Sequence, residues 1–309
     1  MTANRQSRSW ACFVAWGLLA AFLTSRPAAF TQAAEEAKPG NSPQEALYQY
    51  ADAASFQNNG KFDLAAEEWD SFLKKFPKDP LAAKAQHYLG VCRLQLKQFD
   101  KAAAAFEAVV TDHPQFDQLE DAYLNLGWCQ YSLGGQKVEG AYAKAAATFA
   151  DMVRKFPEGK HTEQALLFWG EAEYNQGKKK EAVAAYDRLV KKYPKSSLRS
   201  DVLYALGVTH EELGQYADAG QAYDLFLAEF PKHNLANEVR MRKAETVLQA
   251  GDFAAAQKMF ADVAQTDGFA SVDHALNRQA FCLSKQDKFA EAAALYARLG
   301  TEFTQSAYA

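Results

Sequence analysis

The chain has 309 residues, 49% of them hydrophobic and 23% charged, a balance that excludes disorder as its main state. A formal net charge of -4 supplies no basic field for phosphates, so the composition argues against a nucleic-acid partner. Nine prolines and 17 glycines are few, yet they fall at a nearly fixed interval that organises everything after the N-terminus.

Arg5 and Arg8 precede an apolar run from Trp10 to Thr24, which is followed by Ser25-Arg26-Pro27 and small residues through Ala33 and Ala34. This is the layout of a secretory signal peptide over residues 1–33, with cleavage near Ala33 because Thr31 and Ala33 are small enough for a signal peptidase. The run is shorter than the ~20 residues that span a bilayer, and an uncleaved inner-membrane anchor is the alternative. Cys12 lies inside the run with no lipobox before it. Residues 34–41 read as a polar linker. Ser42-Pro43-Gln44-Glu45 then reads as a helix start, with Ser42 capping an orphan amide, Pro43 in the first turn and Glu45 reaching back in a capping box.

From there one unit recurs. Pro77, Pro114, Pro157, Pro194 and Pro231 are separated by 37, 43, 37 and 37 residues. Eight residues before each stands an aromatic (Trp69, Phe106, Phe149, Tyr186, Tyr223), and the series continues at Phe260 and Tyr296. Four residues earlier comes alanine (Ala65, Ala102, Ala145, Ala182, Ala219, Ala256, Ala292), and twelve before that a small residue (Ala53, Gly90, Gly170, Gly207, with Ala244 and Ala280 in the same column), the third copy's Gly127 standing eighteen before its alanine. Seven copies are present, each predicting two helices joined by a turn at Asn59-Gly60, Gly134-Gly135, Gly177, Gly214 or Gly251. Alanine and aromatic at i and i+4 share one face of the second helix, and proline ends it. Six extra residues within Gly134 to Tyr142 lengthen the turn of the third copy.

This column of small residue, alanine, aromatic and proline, as in Gly207, Ala219, Tyr223 and Pro231, resembles the tetratricopeptide repeat from about Ser42 to the C-terminus. The long unit and the Phe-Pro-Lys or Tyr-Pro-Lys-Ser junctions resemble the periplasmic and envelope branch of the family, which includes an outer-membrane assembly lipoprotein and a Tol–Pal-associated cell division coordinator. The resemblance implies an all-α, right-handed α-solenoid of about seven helix pairs over residues 42–309, in a periplasmic, non-enzymatic scaffold. Its implied partner is a protein or peptide of the cell envelope, with no nucleic acid, no cofactor and membrane contact only through that partner.

Cys92, Cys129 and Cys282 occupy one column, two residues after the small position, where the other copies have Ser55, Ala172, Thr209 and Thr246. They read as packing residues, and consecutive copies stand about 10 Å apart, beyond the ~7 Å Cα limit of a disulfide. Six histidines are scattered over different copies without metal-ligand spacing, and neither a nucleophile elbow nor a phosphate-cradling loop is present. In the family the first helices line the concave side of the superhelix, where partners lie. The stripe expected there comprises Tyr50 in the first copy, Leu124, Trp128 and Tyr131 in the third, Leu167, Glu171 and Tyr174 in the fourth, and Tyr204 and Glu211 in the fifth. Aromatics beside carboxylates suit a partner carrying basic or amide groups. Residues 302–309 repeat the junction motif and look like the opening of a further copy, which reads as a fragment of a longer protein or as an end used in assembly. Two alternatives to the scaffold are the helical arm of a cell-wall enzyme with its catalytic domain elsewhere, and a self-assembling structural protein.

Overall fold

The computed structural model describes residues 42–266 and 268–309; the expected signal peptide and linker lie outside them. Among the described residues the secondary structure is helical throughout, in fourteen α-helices that pair in chain order into the seven copies. They are α1 (Gln44–Asn58) with α2 (Phe62–Lys75), α3 (Ala82–Gln95) with α4 (Phe99–Asp112), α5 (Leu119–Gly135) with α6 (Ala141–Lys155), and α7 (Thr162–Asn175) with α8 (Lys179–Lys192). The remaining three pairs are α9 (Arg199–Glu212) with α10 (Tyr216–Glu229), α11 (Ala236–Gln249) with α12 (Phe253–Ala264), and α13 (Val272–Ser284) with α14 (Phe289–Glu302). They fall into two compact units, one through Ala185 and one from Tyr186, with α8 running from the first into the second. Within the first unit α1 to α7 each pack on the next, as α9 to α14 do within the second. The arrangement is all-α and solenoid-like, in the predicted order.

In the second, third and fifth hairpins an aromatic ring of the second helix lies on a glycine of the first. A Cβ placed on Gly90 would come within 2.8 Å of the Phe106 ring, and one on Gly127 within 2.6 Å of Phe149, closer than carbon atoms approach. Phe106, Phe149 and Tyr223 are completely buried as a result, and Phe260, which shares a core with Ala244, is buried to the same extent. The turns use a left-handed residue, as predicted, at Gly60, Gly177, Gly214 and Gly251. Proline acts one residue earlier than a simple break would. Phe76, His113, Phe156 and Phe230, each before a proline, have left the helical region with φ of -124 to -128° and ψ of 53 to 65°, and each still donates its N–H to the carbonyl four residues back, which closes the last turn.

Two local expectations are corrected. Ser42 does not cap α1; its hydroxyl donates to Asp79 Oδ1 at 2.8 Å, fastening the start of the first copy to the junction that follows it. Gly134 and Gly135 do not break α5, which continues through both for 17 residues against 14 in α3, and Lys137 takes the left-handed position instead. The helix runs on because the Tyr142 ring lies against Gly134, within 2.7 Å of where a Cβ would stand. The six extra residues therefore lengthen α5 as well as its turn.

Gly127→Ala forces the Phe149 ring off its seat and should cost about 1–3 kcal/mol, the usual penalty of overpacking a dense core. Gly135→Ala, whose Cβ would meet only the Tyr142 hydroxyl at 3.9 Å, should leave the thermal midpoint unchanged or raised. Circular dichroism melts of the two variants compare them directly.

Candidate partner-binding surface

The stripe expected to line a groove turns mainly toward the next copy. Tyr50 is buried with its ring edge-on to Trp69 and Phe72 of its own pair, at 4.8 and 5.8 Å. Leu124 and Leu167 are buried, and so is Glu171. Trp128 stacks on Tyr131, with ring centroids 5.9 Å apart, and both meet Phe168 from the following first helix at 4.8 and 5.7 Å. Asn175 of that helix also reaches the Tyr131 hydroxyl at 3.4 Å. Tyr174 is half-buried.

In the second unit Tyr204 and Glu211 of α9 stand in the columns of Leu124 and Tyr131, and an arginine of the next copy takes the column of Phe168. Arg242 of α11 donates from Nε to the Tyr204 hydroxyl at 3.1 Å and from Nη1 to Glu211 Oε2 at 2.9 Å, while Glu238 accepts a further bond from Nε at 3.0 Å. One copy on, Arg278 of α13 donates to Glu245 of α11 at 2.7 Å. Burial raises the Glu211 and Glu245 carboxyls above the usual carboxylate range, against the opposing pull of Arg242 and Arg278. The carboxylate of Glu211 is thus paired within the chain, and the Glu211–Arg242 pair rather than a lone carboxylate reaches the surface, at 18% and 20% side-chain exposure.

Arg242 and Arg278 went unremarked in the sequence. The column two residues before the small position reads Ala51, Tyr88, Asn125, Phe168, Ala205, Arg242 and Arg278, and the paired arginines opposite Glu211 and Glu245 of the preceding copy were the available signal.

His87 on α3 has no such partner. It is buried among the rings of Tyr88, Phe106 and Phe116 at 5.5–5.8 Å, and its Nδ1 has no hydrogen bond. Burial lowers its pKa to about 4, opposed by Asp121 and Asp117 and assisted by Lys160. Cys92, Cys129 and Cys282 are buried free thiols, as expected from their column. Burial pushes Cys92 up to about 12 and Cys282 to about 11, far from the thiolate that redox or nucleophilic chemistry needs. Among the described residues no cluster of His, Cys, Asp and Glu could hold a metal, and no helix is long and apolar enough to cross a membrane.

Tetratricopeptide repeat models match residues 50–115 and 167–234, and a second model of the same name matches 121–159, together more than half of the sequence. The chain belongs to the tetratricopeptide repeat family. No curated protein matches it in sequence. Among solved structures, a tetratricopeptide repeat protein from Parabacteroides merdae is similar at TM-score 0.51 and 15% identity, over 84% of this chain and 93% of the other. A MamA protein is similar at TM-score 0.50 and 18% identity, over 60% of this chain and 91% of its own. At these identities the likeness concerns the fold, and it fits the seven repeat pairs described above.

Two measurements probe the repeat junctions. Below about pH 6.5 the unfolded chain protonates His87 while the folded chain refuses the proton until about pH 4, so stability is lost as pH falls through that window, by up to about 3 kcal/mol. The thermal midpoint of wild type should therefore fall more steeply from pH 7 to 4.5 than that of His87→Leu. Arg242→Met should cost about 2 kcal/mol through the charged hydrogen bonds it strands, and combining it with Glu211→Gln should cost less than the two changes summed. Urea titrations of the four proteins give the coupling.

Proposed function

We propose that this tetratricopeptide repeat protein is a non-enzymatic scaffold of the bacterial cell envelope, exported by its N-terminal signal and holding a protein or peptide partner on the face of its first helices. The carrying observation is the repeat pattern itself: seven helix pairs in chain order among the described residues, stacked on one another within each unit, the architecture that members of this family use to bind other proteins. Buried free thiols and carboxylates committed to arginines support a binding role over a catalytic one. An outer-membrane assembly or Tol–Pal type of role rests on the junction motif and the signal layout. Because Trp128, Tyr131, Leu124 and Leu167 are committed to packing, contact with a partner falls to the half-exposed members of the stripe, Tyr174 in the first unit and Glu211 with Arg242 in the second.

The test expresses the full chain in a bacterial host and fractionates the cells. Recovery in the periplasmic fraction with a new N-terminus near Ala34 is expected; retention in the cytoplasm at full length overturns the exported reading. The recovered protein is then immobilised and offered solubilised envelope proteins. Tyr174→Ala combined with Glu211→Gln should lower capture of any partner at least tenfold while circular dichroism is unchanged. Equal capture by the folded variant would remove these residues from the site and direct attention to the longer turn at residues 136–140.

A further inference from the structure

The column three residues before the small position packs inward. It holds Tyr50, Leu124, Leu167, Tyr204 and Met241, all buried, with the half-buried Asn277 in the last copy. In the second copy the place belongs to His87, 5% exposed and the one member of the column that can gain a proton. Its ring is caged from both sides of a junction. Tyr88 and Phe106 belong to the second copy, while Phe116 stands in the turn between α4 and α5 that leads into the third. Nothing in the cage bonds Nδ1. An imidazolium has two N–H groups to satisfy, so a ring with no acceptor at one nitrogen is held there in its neutral form.

The carboxylates that favour the charged form bond elsewhere. Asp121 on α5 and Asp117 in the turn before it attract a proton to the ring, and Lys160, between α6 and α7, opposes them. These three are the charged groups that act on His87. Asp121 is bonded to Lys160 Nζ at 2.8 Å and to His161 Nε2 at 3.1 Å, and against burial those two hold its carboxyl at about 2. It therefore stays ionised wherever the histidine titrates. Two arrangements of His87 compete: neutral inside the ring cage, or charged outside it beside Asp117 and Asp121.

We propose that His87 is an acid-operated latch on the junction between the second and third copies: when the imidazole gains a proton it leaves its cage, and α3 and α4 part from α5 while the other junctions stay closed. The opening is local because each copy contacts only its neighbours, and Tyr50, Leu124 and Leu167 in the same column of the first unit have no such charge to gain. The open form takes up its proton at the ordinary 6.5 and the closed form only at about 4, so falling pH favours opening. Between pH 7 and 4.5 the ratio of open to closed should rise about fifty-fold. The latch stands independently of any partner on the first helices.

Amide hydrogen exchange of the purified protein at pH 7 and 4.5, each corrected for the intrinsic rate at that pH, reads the opening helix by helix. Protected amides of α3, α4 and α5 should lose protection about fifty-fold, and those of α9 to α12 should not follow. His87→Leu puts in the cage the residue that Leu124 and Leu167 supply in the next two copies, and there the loss should disappear with helicity unchanged. His161→Asn should retain it, because His161 bonds Asp121 and takes no part in the cage. An equal loss along every helix is unfolding of the whole chain and overturns the latch. So does the absence of any loss in wild type, a loss that survives His87→Leu, or one that vanishes with His161→Asn.

Discussion

The hairpins of this chain depend on one close approach, that of an aromatic ring on the second helix to a small residue on the first, glycine in some copies and alanine in others. Where Gly90 faces Phe106 and Gly127 faces Phe149, the second helix can lie nearer to the first than any larger residue would permit. That distance fixes the hairpin, and the hairpin presents the next first helix with a surface of constant shape. A repeat protein needs such a constant, because each copy contacts only its neighbours and an error in one would misplace all those after it. The left-handed turn and the proline serve the same end, since they set where each helix stops.

The junctions between copies are less uniform. One position on each first helix reaches back toward the copy before it, and its chemistry changes along the chain. In the first unit Phe168 closes an aromatic cluster with Trp128 and Tyr131; in the second, Arg242 closes a hydrogen-bonded one with Tyr204, Glu211 and Glu238. Aromatic burial is tolerant of register, whereas an arginine that must meet a hydroxyl and two carboxylates at once is not. The second unit therefore gains a selective lock between copies where the first relies on shape. Its ionic junctions are also the part most open to screening by salt, since Arg278 and Glu245 remain partly in contact with water.

The period of the sequence specified the helix order, the turns and the aromatic columns, because each of those rests on a residue type that a single local requirement demands. Gly177 and Gly214 adopt positive φ, and Tyr223 lies over Gly207; both were legible from spacing alone. The stripe of Trp128, Tyr131 and Glu211 was located correctly on the first helices, but its direction was not legible. Periodicity gives the face of a helix and not what the face meets, and in a stack the groove side and the side toward the next copy lie within one turn of each other. Ser42 shows the same limit on a smaller scale. A serine before a proline and a glutamate carries the signature of a cap, yet its hydroxyl found Asp79, 37 residues away in the chain.

Tyr48, 64% exposed in the column where later copies bury Ala85, Ala122, Ala165, Val202, Val239 or Ala275 against the copy before, bears on how an array like this one can lengthen. Repeat proteins grow by copying a unit and inserting the copy, and each insertion must match the surfaces on both sides. Between existing copies any new unit with alanine or valine in that column would find a ready seat. Ahead of α1 it would not, because the tyrosine there has no small-residue socket to enter. Growth upstream would first require that ring to shrink, so the single side chain that ends the stack also fixes where its repeat number can change.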